Sequence, residues 1–252
     1  MIDIDVLATG SKGNCYLLTS GTIRILLDCG LPYKKTLELS DFKLPTAVLV
    51  THEHKDHATA AEDFIKHGVD VYMTPGTERA CSFGSKYAYR IAPLFASNKF
   101  FIRDGEDEIG VVPFNCKHDA AYPVNFALDD EDDNVLYITD TGNVDLENCS
   151  WLSGRRTKFT KILIETNFSE EDLRAGSIDF RQKQRIFENH LSIEKALKFL
   201  EETDLSECKE IYLIHISERH GDGERFKSQV QKIVGENVKV IVTKNKGVSL
   251  KN

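Results

Sequence analysis

Apolar and acidic residues alternate from Ile2 to Ala8, the period of a half-buried strand. Cys15–Thr19 and Thr22–Asp28 read as two more strands, joined at Ser20-Gly21, a tight-hairpin signal. The third strand ends in Asp28-Cys29-Gly30, and a helix over Tyr33–Leu39 follows Pro32. Ala47–Val50 is an unbroken apolar run, a buried strand, and it leads straight into Thr51–His57, THEHKDH. A helix is expected over Ala58–His67, then a strand at Val71–Met73 and a helix opening at Pro75, a favoured first helical position. Lys99–Arg103 and Val111–Asn115 read as strands around a turn at Asp104–Gly110. Val124–Leu128 and Val135–Thr139 pair across Asp129–Asp133, DDEDD, expected to be a solvated turn because adjacent acids repel. Lys161–Ile164 ends in Glu165, a helix covers Gln182–Asn189, and Ile193–Thr203 is amphipathic with Ser192 as N-cap. Strand Glu210–Ile214, helix Glu224–Val234 and strands Val238–Val242 and Gly247–Leu250 close the chain. The strands look paired antiparallel between helices. Without a linker, repeat or low-complexity tract, residues 1–252 read as one domain of class α/β (α+β), two packed sheets with helices outside.

Polar residues gather where the apolar runs stop. Asp28, THEHKDH, His118, Asp140, Glu165 and His215 stand at or just past strand ends, and His190 stands at a helix start. Six of the eight histidines fall in this set; His67 and His220 lie outside it. His52 and His54 alternate and so point the same way, while Asp56 and His57 on a first helical turn aim back across the loop. Imidazole and carboxylate are ligands for Zn²⁺ and other borderline divalent ions. Two ligand pairs with staggered directions suggest two metals. His190 has a second reading as a helix-capping residue. Thr9–Asn14, TGSKGN, also reads two ways: a hairpin with permissive glycines, or a turn bringing backbone N–H groups to a phosphate.

Composition narrows the setting. Of 252 residues, 41% are hydrophobic and 29% charged, as in ordinary globular proteins. No run of 18 apolar residues predicts a membrane span, and MIDIDVLATG lacks the basic flank of a signal peptide. Six scattered cysteines without a C-x-x-C pair predict a reduced, cytoplasmic setting. The net charge of −8 argues against a generally basic nucleic-acid-binding surface. Two bound divalent cations would add about four positive charges inside the cleft and still attract phosphate there.

THEHKDH resembles the HxHxDH signature of the metallo-β-lactamase fold superfamily. His118, the aspartate of TDTG (Asp140) and the late His215 follow in the order of its nuclease and phosphodiesterase branch, which includes ribonucleases Z and J. ATGSKGNCYLL, LDCG, NHLS and LIHIS resemble stretches of the YycJ/WalJ group, so the likeness covers nearly the whole chain. It implies a four-layer αββα sandwich of two mixed sheets. It implies one divalent metal on His52, His54 and His118, another on Asp56, His57 and His215, and Asp140 bridging them. A metal-bridging hydroxide would attack phosphorus, with Asp56 in the catalytic set and His190 donating a proton to the leaving oxygen. Asp28 and Glu165 would orient histidine N–H groups. Ser11, Gly13 and Asn14 would line the phosphate entrance beside His190.

The resulting expectation is a metal-dependent phosphodiester hydrolase, foremost a DNA exonuclease-like nuclease. A phosphodiesterase for a small substrate such as a cyclic nucleotide is the alternative, favoured by the acidic balance. A metal-binding protein without catalysis is the third reading. Zn²⁺, Mn²⁺ and Fe²⁺ all accept this mixed donor set, and monomer and homodimer are both left open.

Overall fold

The computed structural model describes residues 1–144 and 158–246. The expected strand at Gly247–Leu250 and Cys149 lie outside the described residues. One sheet runs, in order, β1 (Asp3–Ala8), β2 (Cys15–Ser20), β3 (Ile23–Leu27), β4 (Ala47–Leu49), β5 (Asp70–Met73) and β6 (Ile91–Pro93). The other contains β7 (Phe100–Asp104), β8 (Asp107–Asn115), β9 (Val124–Asp129), β10 (Asn134–Ile138), β11 (Lys161–Glu165), β12 (Glu210–Ile214) and β13 (Lys239–Val242). Each sheet starts as an antiparallel meander, β1–β3 and β7–β10, and finishes parallel, β3–β6 and β10–β13. The expectation of antiparallel pairs therefore fails in the second half of each sheet. There, among the described residues, helices lie in the connections β3–β4, β4–β5, β5–β6, β11–β12 and β12–β13, as parallel neighbours usually have.

Strand alternation builds the layers. Ile25, Leu27 and Leu49 of one sheet meet Phe126, Val135 and Tyr137 of the other in a shared core. Their neighbours Leu26 and Val48 face outward, onto Ala61, Phe64 and Ile65. Leu136, Ile162 and Leu213 likewise face Ile193, Phe199, Phe226 and Val230. Each such fully buried side chain contributes roughly 1.5–3 kcal/mol. The four-layer expectation is thus met: two mixed sheets with helices on both outer faces. The helices are α1 (Tyr33–Leu39), α2 (Lys55–Ala58), α3 (Ala61–Lys66), α4 (Pro75–Cys81), α5 (Glu170–Ala175), α6 (Phe180–Asn189), α7 (Ile193–Glu202) and α8 (Gly223–Val234), with a 3₁₀ turn over Ser85–Arg90. Ser192 caps α7 by accepting from the Lys195 amide, as expected.

Three local expectations change. The single helix over Ala58–His67 is two, α2 and α3. The carbonyls of Asp56 and His57 accept from Asn14 and Cys29 amides at 2.7 Å each, so they leave the helical ladder and the helix breaks. The turn between β7 and β8 is short, since β7 runs to Asp104 and β8 begins at Asp107. The DDEDD turn is only partly solvated: Asp133 is buried, accepting from the Ile2 amide at 2.9 Å and Thr160 Oγ1 at 2.7 Å, with Lys161 Nζ at 3.2 Å. No helix among the described residues is long and apolar enough to cross a membrane. Cys15, Cys29, Cys81, Cys116 and Cys208 are free thiols.

Candidate metal centre and substrate cleft

The parallel strands end along one edge of the sandwich, where sheets of this kind place their sites. Asp28 follows β3, Thr51–His57 follows β4, Thr139-Asp140 follows β10, Glu165 ends β11 and His215 follows β12. Three of these, Asp28, Asp140 and His215, have left-handed backbones, with φ of 58°, 42° and 52°. Non-glycine residues adopt that region at a cost of roughly 1–2 kcal/mol each, and such outliers cluster at functional sites.

The histidines form two groups that share one carboxylate. His52 Nε2 and His118 Nε2 each lie 3.1 Å from His54 Nδ1. His118 Nδ1 donates to the Asn189 carbonyl at 2.9 Å, and His52 Nδ1 lies 2.9 Å from Thr51 Oγ1. The nitrogens turned toward one another are then lone-pair donors facing a common point. Asp140 Oδ2 stands 3.7 Å from His52 Nε2 and 3.6 Å from His118 Nε2. The same oxygen is 3.2 Å from His57 Nε2, which is 3.6 Å from Asp56 Oδ2. His215 Nε2 is buried without a hydrogen-bond partner and faces Asp56 Oδ2 at 3.9 Å. An orphaned buried nitrogen is costly unless something occupies its lone pair. The donor sets His52/His54/His118/Asp140 and Asp56/His57/Asp140/His215 therefore fit divalent cations.

A ring of partners fixes these donors. Asp28 Oδ2 accepts from Tyr137 OH at 2.7 Å and lies 2.7 Å from His57 Nδ1. Asp28 Oδ1 accepts from the Thr51 amide at 2.8 Å. Glu165 Oε1 is shared by His190 Nδ1 at 2.8 Å and His215 Nδ1 at 2.9 Å. Its Oε2 accepts from the amides of Thr141 and Leu191, both at 3.1 Å. Burial acts against charge on His57 and His215. Asp140, with Asp28 for His57 and Glu165 for His215, outweighs it and raises both, His215 to about 10. Burial also opposes ionisation of Asp140, but His215 and His57 hold its carboxyl well below the usual range. For His52 and His118 burial prevails and lowers both.

A cleft of about 460 Å³ opens over the cluster. His54, Asp56, His118, Asp140, His190 and His215 reach it, and His52 and His57 lie buried beneath. Of the three residues expected at the entrance, Ser11 lines the cleft. Asn14 is buried, its Nδ2 3.0 Å from His57 Nε2, and a Cβ on Gly13 would lie 2.9 Å from the Gly30 carbonyl oxygen. Gly30 itself has no room for a side chain: a Cβ there would meet the Asp56 carbonyl at 1.7 Å. His190 does not cap α7, a role Ser192 fills; it follows α6 with its ring fixed by Glu165.

Several site residues escaped the reading of strand ends. Asn14 and Tyr137 approach His57 and Asp28 from separate elements. Asp119 lies 3.3 Å from His118 Nε2 and pairs with Arg185 at 3.1 Å. His220 and Arg219 line the cleft, although His220 stands outside the strand-end pattern. Adjacency to LIHIS was the available signal. A second cleft, of about 530 Å³, is lined by Asp107, Asp130 and Asp132 and contains no histidine.

Residues 23–216 match the family model described as "Beta-lactamase superfamily domain". The chain belongs to the metallo-β-lactamase superfamily. Within it, the chain is 32% identical over 227 residues to "Exodeoxyribonuclease WalJ" of Streptococcus pneumoniae, covering 85% of this chain and 81% of that one. It is 28% identical over 250 residues to "Exodeoxyribonuclease YycJ" of Bacillus anthracis, covering 93% and 90%. The metallo-β-lactamase fold protein YhfI from Bacillus subtilis superposes with a TM-score of 0.72 at 16% identity, over 97% of this chain and 98% of that one. The resemblance to the YycJ/WalJ group is thus met by relatives that span most of the chain.

Proposed function

We propose that this protein is a dinuclear metal-dependent phosphodiester hydrolase acting as a nuclease on DNA. The observation that carries the two-metal part is Asp140 Oδ2, set between the His52/His54/His118 group and the Asp56/His57/His215 group. The DNA part rests on the two relatives named as exodeoxyribonucleases. Zn²⁺ or Mn²⁺ suits the mixed imidazole and carboxylate donors, and Fe²⁺ is also accepted. When bound, two such ions supply an activated water at neutral pH and neutralise charge on the phosphoryl oxygens.

The chain's own residues do the rest. Asp28 and Thr51 fix the rings of His57 and His52, and Glu165 fixes that of His215. His190 points its Nε2 away from Glu165, since Nδ1 is bound there, and it lines the cleft. Burial works against protonation of His190, but the Glu165 carboxylate outweighs it and raises the imidazole above its ordinary value. A proton carried at Nε2 would face the oxygen that leaves phosphorus. A general acid beside a two-cation donor set has no use in a protein that only stores metal.

The test offers Mn²⁺- or Zn²⁺-loaded protein labelled single-stranded DNA, duplex DNA, RNA and cyclic mononucleotides. Release of nucleotides from DNA is expected. Turnover of cyclic nucleotides alone would replace the nuclease reading by the small-diester one.

A further inference from the structure

Helix α6 runs against the general charge of the molecule. In a chain of net charge −8, its ten residues FRQKQRIFEN include Arg181, Lys183 and Arg185 against the single acid Glu188. It is also a ridge between two depressions. Gln182, Arg185 and Ile186 line the metal cleft. Phe180, Lys183 and Phe187 line a separate cleft of about 470 Å³ on the other side, with Arg174 at its rim. Phe180 is 78% exposed, an unusual position for a large aromatic ring. Phe187 is held edge-on against Phe168, ring centres 5.2 Å apart, and Arg174 lies 5.7 Å from its ring centre. Among the described residues no carboxylate pairs with Arg181, whereas Arg185 is shared with Asp119.

From this arrangement we infer that α6 carries single-stranded DNA out of the metal cleft. The backbone crosses the ridge on Arg185 and Arg181, and a base stacks at Phe180 over the Phe187 cleft. The inference rests on the nuclease reading and adds to it the surface that a polymer uses and a small diester does not. Cations interleaved with aromatic rings are the physical signature of single-strand binding. Phosphates release counterions to the cations, and every base offers a face to an aromatic ring. The ridge is about one helix wide, on the order of 10 Å, so a strand scarcely longer than the scissile nucleotides reaches Phe180. The acidic balance of the rest of the chain confines attraction to this path.

The experiment measures binding of a fluorescein-labelled 20-nucleotide oligothymidylate to EDTA-treated full-length protein by anisotropy. It compares wild type, Phe180→Ala and Arg181→Ala, with Mn²⁺-supported hydrolysis of bis(p-nitrophenyl) phosphate measured in parallel. Loss of one stacked base corresponds to about a tenfold weaker Kd for Phe180→Ala. For Arg181→Ala the slope of log K against log salt falls by about 0.7. Both variants are expected to keep wild-type melting temperature and wild-type turnover of the small diester. Oligonucleotide affinity within twofold of wild type in both variants overturns the inference, and so does a parallel loss of small-diester turnover. Wild-type binding without DNA cleavage on adding Mn²⁺ would leave the surface standing and sink the nuclease reading instead. Cleavage with unaltered variants would do the reverse.

Discussion

Asp140 Oδ2 and His57 Nε2 stand 3.2 Å apart. Asp140 comes from the end of one sheet and His57 from the loop of the other. Their meeting point is the seam of the sandwich, and the two ligand groups join there. Removing the carboxylate as Asp140→Ala is expected to abolish binding of both ions together, reducing metal content from two per chain to below one, with activity at background. Inductively coupled plasma mass spectrometry on the purified variant checks it; retention of two ions would refute the bridge.

His190 is held to Glu165 at 2.8 Å and belongs to neither metal group in the reading above. His190→Ala should therefore keep its metal while kcat falls by roughly 10²–10⁴-fold, the range for a lost general acid. Steady-state kinetics beside a metal assay separates the two effects. Full activity in His190→Ala would remove the proton-donor role.

Asp28 accepts from Thr51 and Tyr137 and sits against His57, all without contact with solvent. Asp28→Asn preserves shape but disturbs the His57 tautomer. A fall of about 10–100-fold in affinity for one of the two metals is expected, the usual range for partners behind a ligand. Competition with a fluorescent chelator reads it.

Gly30 approaches the Asp56 carbonyl so closely that a Cβ would lie 1.7 Å from it. Gly30→Ala must push the ligand loop away. Overpacking of this kind costs about 1–3 kcal/mol, so a lower midpoint in urea and weaker metal binding should appear together. A variant with wild-type stability would show that the loop yields freely.

Far from the cleft, Asp133 ties the first strand to β11. Burial alone would raise its carboxyl, but hydrogen bonds from Thr160 and Ile2 and the Lys161 ammonium hold it at about 2. A carboxyl depressed in the folded state adds stability above its unfolded value, near 3.8, and loses it as pH falls toward 2. Unfolding midpoints of wild type should therefore drop between about pH 4 and pH 2, and this drop should shrink in Asp133→Asn. Near neutral pH, Asp133→Ala should cost about 3 kcal/mol, because it strands the buried Lys161.

The sequence carried the site where local signals were strong. Ala47–Val50 running into THEHKDH pointed to four of the residues that gather in the cluster, and apolar runs ending at Asp140 and His215 pointed to two more. What it hid depends on distant partners. Asn14 and Tyr137 close on His57 and Asp28 from other strands, and no periodicity reports that. The left-handed backbones at Asp28, Asp140 and His215 have no glycine to announce them. Asp133 looked solvated because its acidic neighbours hid its buried partner Lys161. The break between α2 and α3 was invisible because it comes from the Asp56 and His57 carbonyls being captured by the amides of Asn14 and Cys29, which lie far back in the chain.

If two metals on one shared carboxylate cleave DNA, turnover needs both. Hydrolysis of labelled single-stranded DNA, followed while metal-free protein is titrated with Mn²⁺, tests it most directly. The rate is expected to rise to its plateau only as the second equivalent binds. A full rate at one equivalent, or no DNA hydrolysis at two, would contradict it.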